Sequence, residues 1–244
     1  MKKSDGKAAL GAPLKTQNND AGIVNIPRKK VSLKEKRQLI ELTLDALKKE
    51  FPAPRCALEY ETPFELLVAV ILSAQCTDKR VNMVLPGLFK RFPNAKAFAE
   101  APLEEIEQEI KTCGLYHSKA ANLSKTAKTL VEKHDGIVPS NFEELVSLPG
   151  VGRKTANCVL GVAFQIPSGF VVDAHVLRLS QRIGFSDETT PEKVEEDLNR
   201  LTPRNEWIDF SHRLIYLGRQ YCSARSPKCE KCPLTSFCLK RLRN

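Results

Sequence analysis

The stretch Leu148–Asn157, LPGVGRKTAN, decides how this chain folds. Pro149 and Gly150 suit a type II turn, with proline at the first central position and glycine taking the positive φ at the second. Gly152 lets the backbone pass close to a bulky group. A helix-forming run follows at once. Arg153 and Lys154 fall in its first turn, where the helix dipole is already positive. The reading is helix 141–147, a tight hairpin, and a second helix over 152–164. The first N–H groups of that second helix have no intrahelical partners, and together with the dipole they make a seat for an anion. Two basic side chains are tolerable there if the anion is a phosphate. A phosphate-binding P-loop is excluded, because it needs glycine just before the Lys-Thr pair and a preceding strand. Here Arg153 holds that position and a helix precedes.

Outward from the hairpin, nearly everything reads as helix. Ser32 with Glu35 makes a capping box, and Ile40, Leu44, Leu47 and Phe51 then repeat at helical spacing. Phe64 to Ala74 is an apolar helix, and Thr77 can cap the next. Further helices are expected at 102–111, 118–134, 174–183 and 191–201. Ser140 with Glu143 reads as a second capping box, and Thr190-Pro191 as a cap and first-turn proline. The last long helix carries Trp207, Phe210, Leu214, Leu217 and Tyr221 on one stripe. No stretch alternates as a strand does and no internal repeat occurs, so the expected fold class is all-α.

The chain has 244 residues with 42% apolar composition, enough for a buried core. Its formal charge of +9 points to a polyanionic partner, nucleic acid before an anionic membrane surface. No run approaches the roughly 20 apolar residues of a membrane helix. The start, MKKSDGKAALGAPLK, has no hydrophobic stretch of signal type and no Arg-rich amphipathic character. The expectation is a cytoplasmic bacterial protein, associated with the nucleoid and with no membrane partner. Residues 1–30, polar and without periodicity, read as a disordered basic arm.

Of the eight cysteines, Cys56, Cys76, Cys113 and Cys158 are scattered in apolar stretches and read as small buried thiols. Cys222, Cys229, Cys232 and Cys238 crowd together near the end. In a reducing compartment such a cluster suggests metal before disulfide. Four thiolates in the pattern C-x6-C-x2-C-x5-C can hold a [4Fe–4S] cluster or a structural zinc. Zinc ribbons use two close pairs, which a six-residue first gap does not match. Arg225 and Lys228, between the first two of these cysteines, can present charge to a DNA backbone.

Four motifs together carry a resemblance to a known family. LPGVGRKTAN followed by VVDAHVLRLSQRIG resembles the helix-hairpin-helix and Gly/Pro-Asp signature of DNA base-excision glycosylases. LSAQCTD at 72–78 and GLYHSKA at 114–120 resemble endonuclease III in particular, and the cysteine array matches that family too. The resemblance covers residues 31–240 in one continuous order. It implies a [4Fe–4S] cluster on Cys222, Cys229, Cys232 and Cys238, structural and positional in role. It implies base-excision repair by a bifunctional enzyme, an N-glycosylase on oxidised pyrimidines and a lyase at abasic sites. The implied partner is double-stranded DNA with oxidised bases or abasic sites, and the enzyme is expected to act as a monomer.

The residues fit that chemistry individually. A lysine is a nucleophile only when neutral. Arg153 and the positive helix end would both disfavour the ammonium form of Lys154. The resemblance implies that Lys154 attacks the deoxyribose carbon bearing the damaged base, displaces the base, forms a Schiff base and permits elimination on the 3′ side. Asp173 reads as the N-cap of helix 174–183. The resemblance adds that its carboxylate stabilises positive charge on the sugar and helps proton transfer. His175 reads as a packing or hydrogen-bonding residue. Reaching a base in a duplex requires flipping it out and propping the gap. By resemblance Gln75 and Leu115 are the wedges. Gly150, Gly152 and Arg153 of the hairpin, with Arg225 and Lys228, are the expected backbone contacts. Cys76 stands where a small residue such as alanine is expected. Asp78 can line the lesion pocket or cap the following helix.

The expected organisation is a helical bundle over 61–166 that ends with the hairpin, and a cluster domain formed by 31–60 together with 167–244. A DNA-binding cleft lies between them, with Lys154 and Asp173 facing each other across the boundary. Two rivals are an adenine mismatch glycosylase of the same superfamily and a noncatalytic helix-hairpin-helix DNA-binding module. The first typically lacks the lysine and has a further C-terminal domain. The second needs neither Asp173 nor the wedges.

Overall fold

The computed structural model describes residues 31–241. The expected arm at 1–30 lies outside the described residues. Among those described, every regular element is helical and no strand occurs. Helix α1 (Leu33–Glu50) starts at the expected box. Ser32 Oγ accepts the Glu35 N–H at 3.2 Å, and the Glu35 carboxylate accepts the Ser32 N–H at 2.8 Å. Helix α2 (Pro63–Ser73) is apolar on all sides and has eight buried residues, which places it at the centre of a core. Thr77 caps α3 (Asp78–Arg91), its Oγ1 accepting the Arg80 N–H at 3.2 Å.

Helices α4 (Ala95–Glu100), α5 (Leu103–Ile110), α6 (Tyr116–His134), α7 (Phe142–Ser147), α8 (Arg153–Phe164), α9 (Ala174–Ile183), α10 (Pro191–Leu201) and α11 (Trp207–Gln220) follow. Two local readings differ from the sequence expectation. The cap of α7 is Asn141, whose Oδ1 accepts the Glu144 N–H at 3.1 Å, and not Ser140. Asparagine is as strong a cap as serine and sits one residue nearer the helix. Thr190 makes no side-chain cap bond, although Pro191 does open α10. Helix α4 was not legible, because its six residues bury only Ala95 and Phe98 and give no periodic stripe.

The apolar side chains collect into two clusters. One runs from Leu58 to Leu160 and surrounds α2, with Phe98, Ile106 and Ile110 fully buried. The other joins Ile40, Leu44 and Leu47 of α1 to Phe170, Val176, Leu179, Phe210, Leu214 and Leu217. The chain therefore returns to its first helix only after completing the first core. Truncating a fully buried aromatic such as Phe98 or Phe210 to alanine costs about 3–5 kcal/mol. Helix α8 packs against α2, α7 and α11, so it spans the seam between the two cores. Polar ties cross the same seam. Arg219 pairs with Asp78 at 2.5 Å, and the Tyr216 hydroxyl accepts the Arg55 N–H at 3.0 Å while donating to the Arg55 carbonyl at 2.7 Å.

Candidate active site and cluster site

The hairpin forms as the sequence predicts. Gly150 has φ +75°, and the Val151 N–H closes the turn on the Leu148 carbonyl at 3.1 Å. A side chain at Gly150 would also strike Asn122, whose atoms lie 2.9 Å from a built Cβ. Helix α6 holds the turn from behind, since Thr126 Oγ1 donates to the Pro149 carbonyl. Gly152 is the N-cap of α8 and makes no side-chain bond. Nothing lies within 4 Å of where its Cβ would be, so its open face is turned away from the rest of the described chain. The first amides of α8 thus form an uncapped, exposed helix start.

Lys154 is exposed in the first turn of α8 and makes no ion pair among the described residues. Asp173 caps α9, Oδ1 accepting the Val176 N–H at 2.8 Å, and its second oxygen has no hydrogen-bond partner among the described residues. Both residues line one pocket of about 80 Å³ at the seam. Its wall also includes Cys56, Asp78, Cys158, His212, Tyr216 and Arg219. Asp78 therefore lines this pocket, while the cap of α3 falls to Thr77. Burial holds the His212 imidazole below the usual histidine range, against the opposing pull of Asp209 and Asp173. His175 turns the other way, its Nδ1 3.0 Å from Arg178 Nη2.

Arg153 has a partner that the sequence does not announce. Its guanidinium donates to the buried Glu195 carboxylate, from Nη2 at 2.9 Å and from Nε at 3.3 Å, and stacks over Phe142 at 5.0 Å. Asn157 donates to the same carboxylate at 3.0 Å. The arginine's charge is thus matched within the fold, tying α8 to α10, rather than pressing on its neighbour Lys154.

Gln75 and Leu115 lie on two loops that meet. Both have left-handed backbones, with φ 51° and 59°. A Cβ on Gly114 would approach the Gln75 carbonyl oxygen to 3.3 Å, so glycine permits the contact. Non-glycine residues in this region cost of order 1–3 kcal/mol and persist where their surroundings impose them. Leu115 is 57% exposed, at the N-cap of α6. Beneath the loops Cys113 is buried, and burial, followed by the neighbouring Cys76, pushes its thiol up to about 11. Lys119 is buried nearby, and its Nζ has no hydrogen-bond partner in the described structure.

Cys222, Cys229, Cys232 and Cys238 face one apolar-walled cavity, closed by Leu179, Ile183, Leu217 and Leu234. Among the described residues no three His, Cys, Asp or Glu side chains converge tightly enough to hold a single metal ion. The four cysteines share one cavity, as the ligands of a single bound group must. Donors to sulfur are in place, with Arg182 Nη1 3.4 Å from Cys222 Sγ and the Lys240 N–H 3.4 Å from Cys238 Sγ. Arg182 also donates to the Ser223 and Ala224 carbonyls, each at 2.7 Å, and so holds the loop that follows Cys222. Arg225 and Lys228 are exposed on that loop.

Sequence reasoning missed Arg219, Tyr216 and His212 as pocket residues. They lie on α11 at three-, four- and seven-residue separations, on the face opposite the apolar stripe. That polar stripe was the available signal.

Comparison with known proteins follows the same outline. Residues 68–204 match the model of the HhH-GPD superfamily base excision DNA repair protein, and residues 222–238 match the iron-sulfur binding domain of endonuclease III. An endonuclease III of Synechocystis sp. is 49% identical over 204 residues, covering 84% of this chain and 93% of that protein. One from Bacillus subtilis is 47% identical over 200 residues, covering 82% and 91%. Among solved structures, a trapped endonuclease III–DNA covalent intermediate in an estranged-adenine complex superposes with TM-score 0.80 at 46% identity, covering 84% of this chain and 96% of that one.

Proposed function

The chain belongs to the endonuclease III family of base-excision DNA repair enzymes, and on that premise we propose that Lys154 is its nucleophile and Asp173 its electrostatic partner. As a member of this family it is a DNA glycosylase and abasic-site lyase that binds DNA and holds a [4Fe–4S] cluster. The observation that carries the assignment is that Lys154 and the unpartnered oxygen of Asp173 line one pocket. That pocket lies at the seam of two cores, beside the uncapped start of α8.

The chemistry follows from these positions. The neutral Lys154 amine adds to the sugar carbon that bears the base, and the glycosidic bond breaks as the base leaves with a proton. The Asp173 carboxylate stabilises the positive charge that develops on the sugar. Loss of the amine's remaining proton and opening of the sugar ring give the Schiff base. Removal of a proton from the adjacent carbon then expels the 3′ phosphate, and water releases the enzyme. Arg153 is engaged by Glu195, and the α8 terminus still presents its positive end beside Lys154. The exposed amides after Gly152, with Arg225 and Lys228, are the contacts to phosphate. Gln75 and Leu115 occupy the gap left by the flipped nucleotide. Their strained backbones and the exposure of Leu115 support that reading.

Within this proposal the substrates are duplexes with oxidised pyrimidines or abasic sites, and the enzyme works as a monomer at the nucleoid. Residues 61–166 form one wall of the DNA cleft, and 31–60 with 167–241 form the other. The two apolar clusters support that division, except that Cys56 and Leu58 pack with the first. Cys222, Cys229, Cys232 and Cys238 would hold the cluster, which supplies a rigid support for the basic loop. No helix of the described residues is long and apolar enough to cross a membrane.

Borohydride reduction on abasic duplex DNA tests the assignment. The native protein should be trapped as a covalent adduct, and Lys154→Ala should form none. An adduct of undiminished yield in the variant would move the amine elsewhere.

A further inference from the structure

The mechanism leaves unused two thiols in the Lys154 pocket. Cys158 sits one helical turn beyond Lys154 on α8, so the two share a face. Cys56 lies on the segment before α2 and reaches the same pocket. The two side chains share this pocket wall, close enough for each thiol to act on the ionisation of the other. Both are free thiols and partly buried. The segment that carries Cys56 is pinned to α11 by the two Tyr216 bonds to Arg55, which holds Cys56 at the pocket wall.

We propose that Cys56 and Cys158 form an oxidant-responsive dithiol in the wall of the Lys154 pocket, closed to a disulfide by a peroxide.

The surroundings assign the two roles. The neighbouring Cys158 thiol and the Leu58 N–H stabilise the Cys56 thiolate, and together they outweigh burial and bring Cys56 down to about 7. Of the charges that face the pair, Arg219 favours the Cys56 thiolate and Asp78 opposes it. Cys56 and burial push Cys158 well above the ordinary thiol range, against Lys154. Burial first, and then the two thiols, push the nearby Tyr60 hydroxyl up, and Asp173 and His212 complete the pocket wall. Cys56 is therefore the attacking thiol and Cys158 the resolving one.

The Cys56 thiolate attacks one oxygen of hydrogen peroxide, the O–O bond breaks, and the departing hydroxide takes a proton to become water. This leaves Cys56 as a sulfenic acid. The Cys158 sulfur then attacks the Cys56 sulfur, the S–O bond breaks, and the released hydroxide combines with the Cys158 proton as a second water. Two thiols have lost two electrons and two protons, and one peroxide has become two waters. The resulting bond staples the helix that carries Lys154 to the pocket wall opposite.

The test uses full-length protein with its cluster, monitored by visible absorption, treated with increasing hydrogen peroxide and then alkylated and digested. The expected product is a peptide pair linked through Cys56 and Cys158, reversed by dithiothreitol, at peroxide levels that leave the cluster absorption unchanged. In Cys158→Ser the linked pair should vanish and Cys56 should instead take up dimedone, a sulfenic-acid reagent. In Cys56→Ser both should vanish. At pH 7, iodoacetamide should label Cys56 at least tenfold faster than Cys113. A link formed solely between Cys76 and Cys113, or a Cys56 that remains fully alkylatable after peroxide treatment, overturns the proposal. Because these readouts follow sulfur and need no DNA, they stand or fall independently of the role given to Lys154.

Discussion

The Arg153 guanidinium closes a two-point hydrogen bond on Glu195, at 2.9 and 3.3 Å, although the carboxylate lies 42 residues further along the chain. Glu195 is 7% exposed at its side chain and Arg153 55%. Removing the arginine leaves a buried carboxylate with only the Asn157 amide as donor. Arg153→Ala should therefore cost about 1–3 kcal/mol of stability, less than a fully buried pair because the arginine is half open to water. A phosphate-contacting arginine behaves differently: its loss lowers the salt dependence of DNA affinity by about one unit in the log–log slope. The expected outcome is a lowered melting temperature with an unchanged slope. A slope reduced by one with unchanged melting would return Arg153 to the DNA interface.

Asp173 has two roles on two oxygens, and they can be separated. Asparagine caps a helix about as well as aspartate. Asp173→Asn should keep the bond to the Val176 N–H and the melting temperature, yet lose the charge that faces the pocket. Turnover on damaged duplex should fall about 10²-fold or more. Asp173→Ala should match that loss and add about 1 kcal/mol of destabilisation from the missing cap. Equal turnover in the asparagine variant and the native protein would confine Asp173 to capping.

What was legible in the sequence is what the chain decides locally. The turn at Pro149-Gly150, the box at Ser32 and Glu35, and the apolar stripes of α1 and α11 each depend on residues within a few positions of one another. Lys154 and Asp173 were legible for the same reason, one at a helix start and the other at a cap. Arg219 was not, because its pairing with Asp78 spans 141 residues and only the fold brings them together. Arg153 was legible along the chain, but its partner across the fold was not. Its neighbour in sequence is a lysine, but the partner that determines its direction is on α10. Cys56 and Cys158 looked like separate core thiols because nothing local announces their shared pocket.

The two left-handed residues give a test in which stability and activity move apart. Glycine relieves the backbone strain at φ 51° or 59°. Leu115 is exposed, so its side chain contributes little packing. Gln75→Gly and Leu115→Gly should leave stability unchanged or raise it by up to about 1 kcal/mol. Both should lose much of the rate on a base that must be extruded from a duplex. On a single-stranded abasic substrate, where no gap needs propping, Leu115→Gly should keep most of its lyase rate. Equal losses on both substrates would count against a wedge.

His212 predicts how the fold responds to acid. Its folded-state pKa is lowered by burial, so the unfolded chain, titrating near the ordinary 6.5, takes up a proton first. Above pH 6.5 the imidazole is neutral in both states and contributes no pH dependence. As pH falls below that value the unfolded state gains protons that the folded state refuses, and stability declines until the folded pKa is passed. Urea unfolding of cluster-loaded Cys56→Ser protein, which lacks the low-pKa thiol that adds its own slope above pH 7, should show a flat region down from pH 8 and a fall beginning near 6.5. His175 is shifted in the same direction, also chiefly by burial, so His212→Gln should remove part of the slope and leave the rest. Since glutamine does not titrate in this range, an identical slope in the variant would mean that the proton uptake belongs to another group.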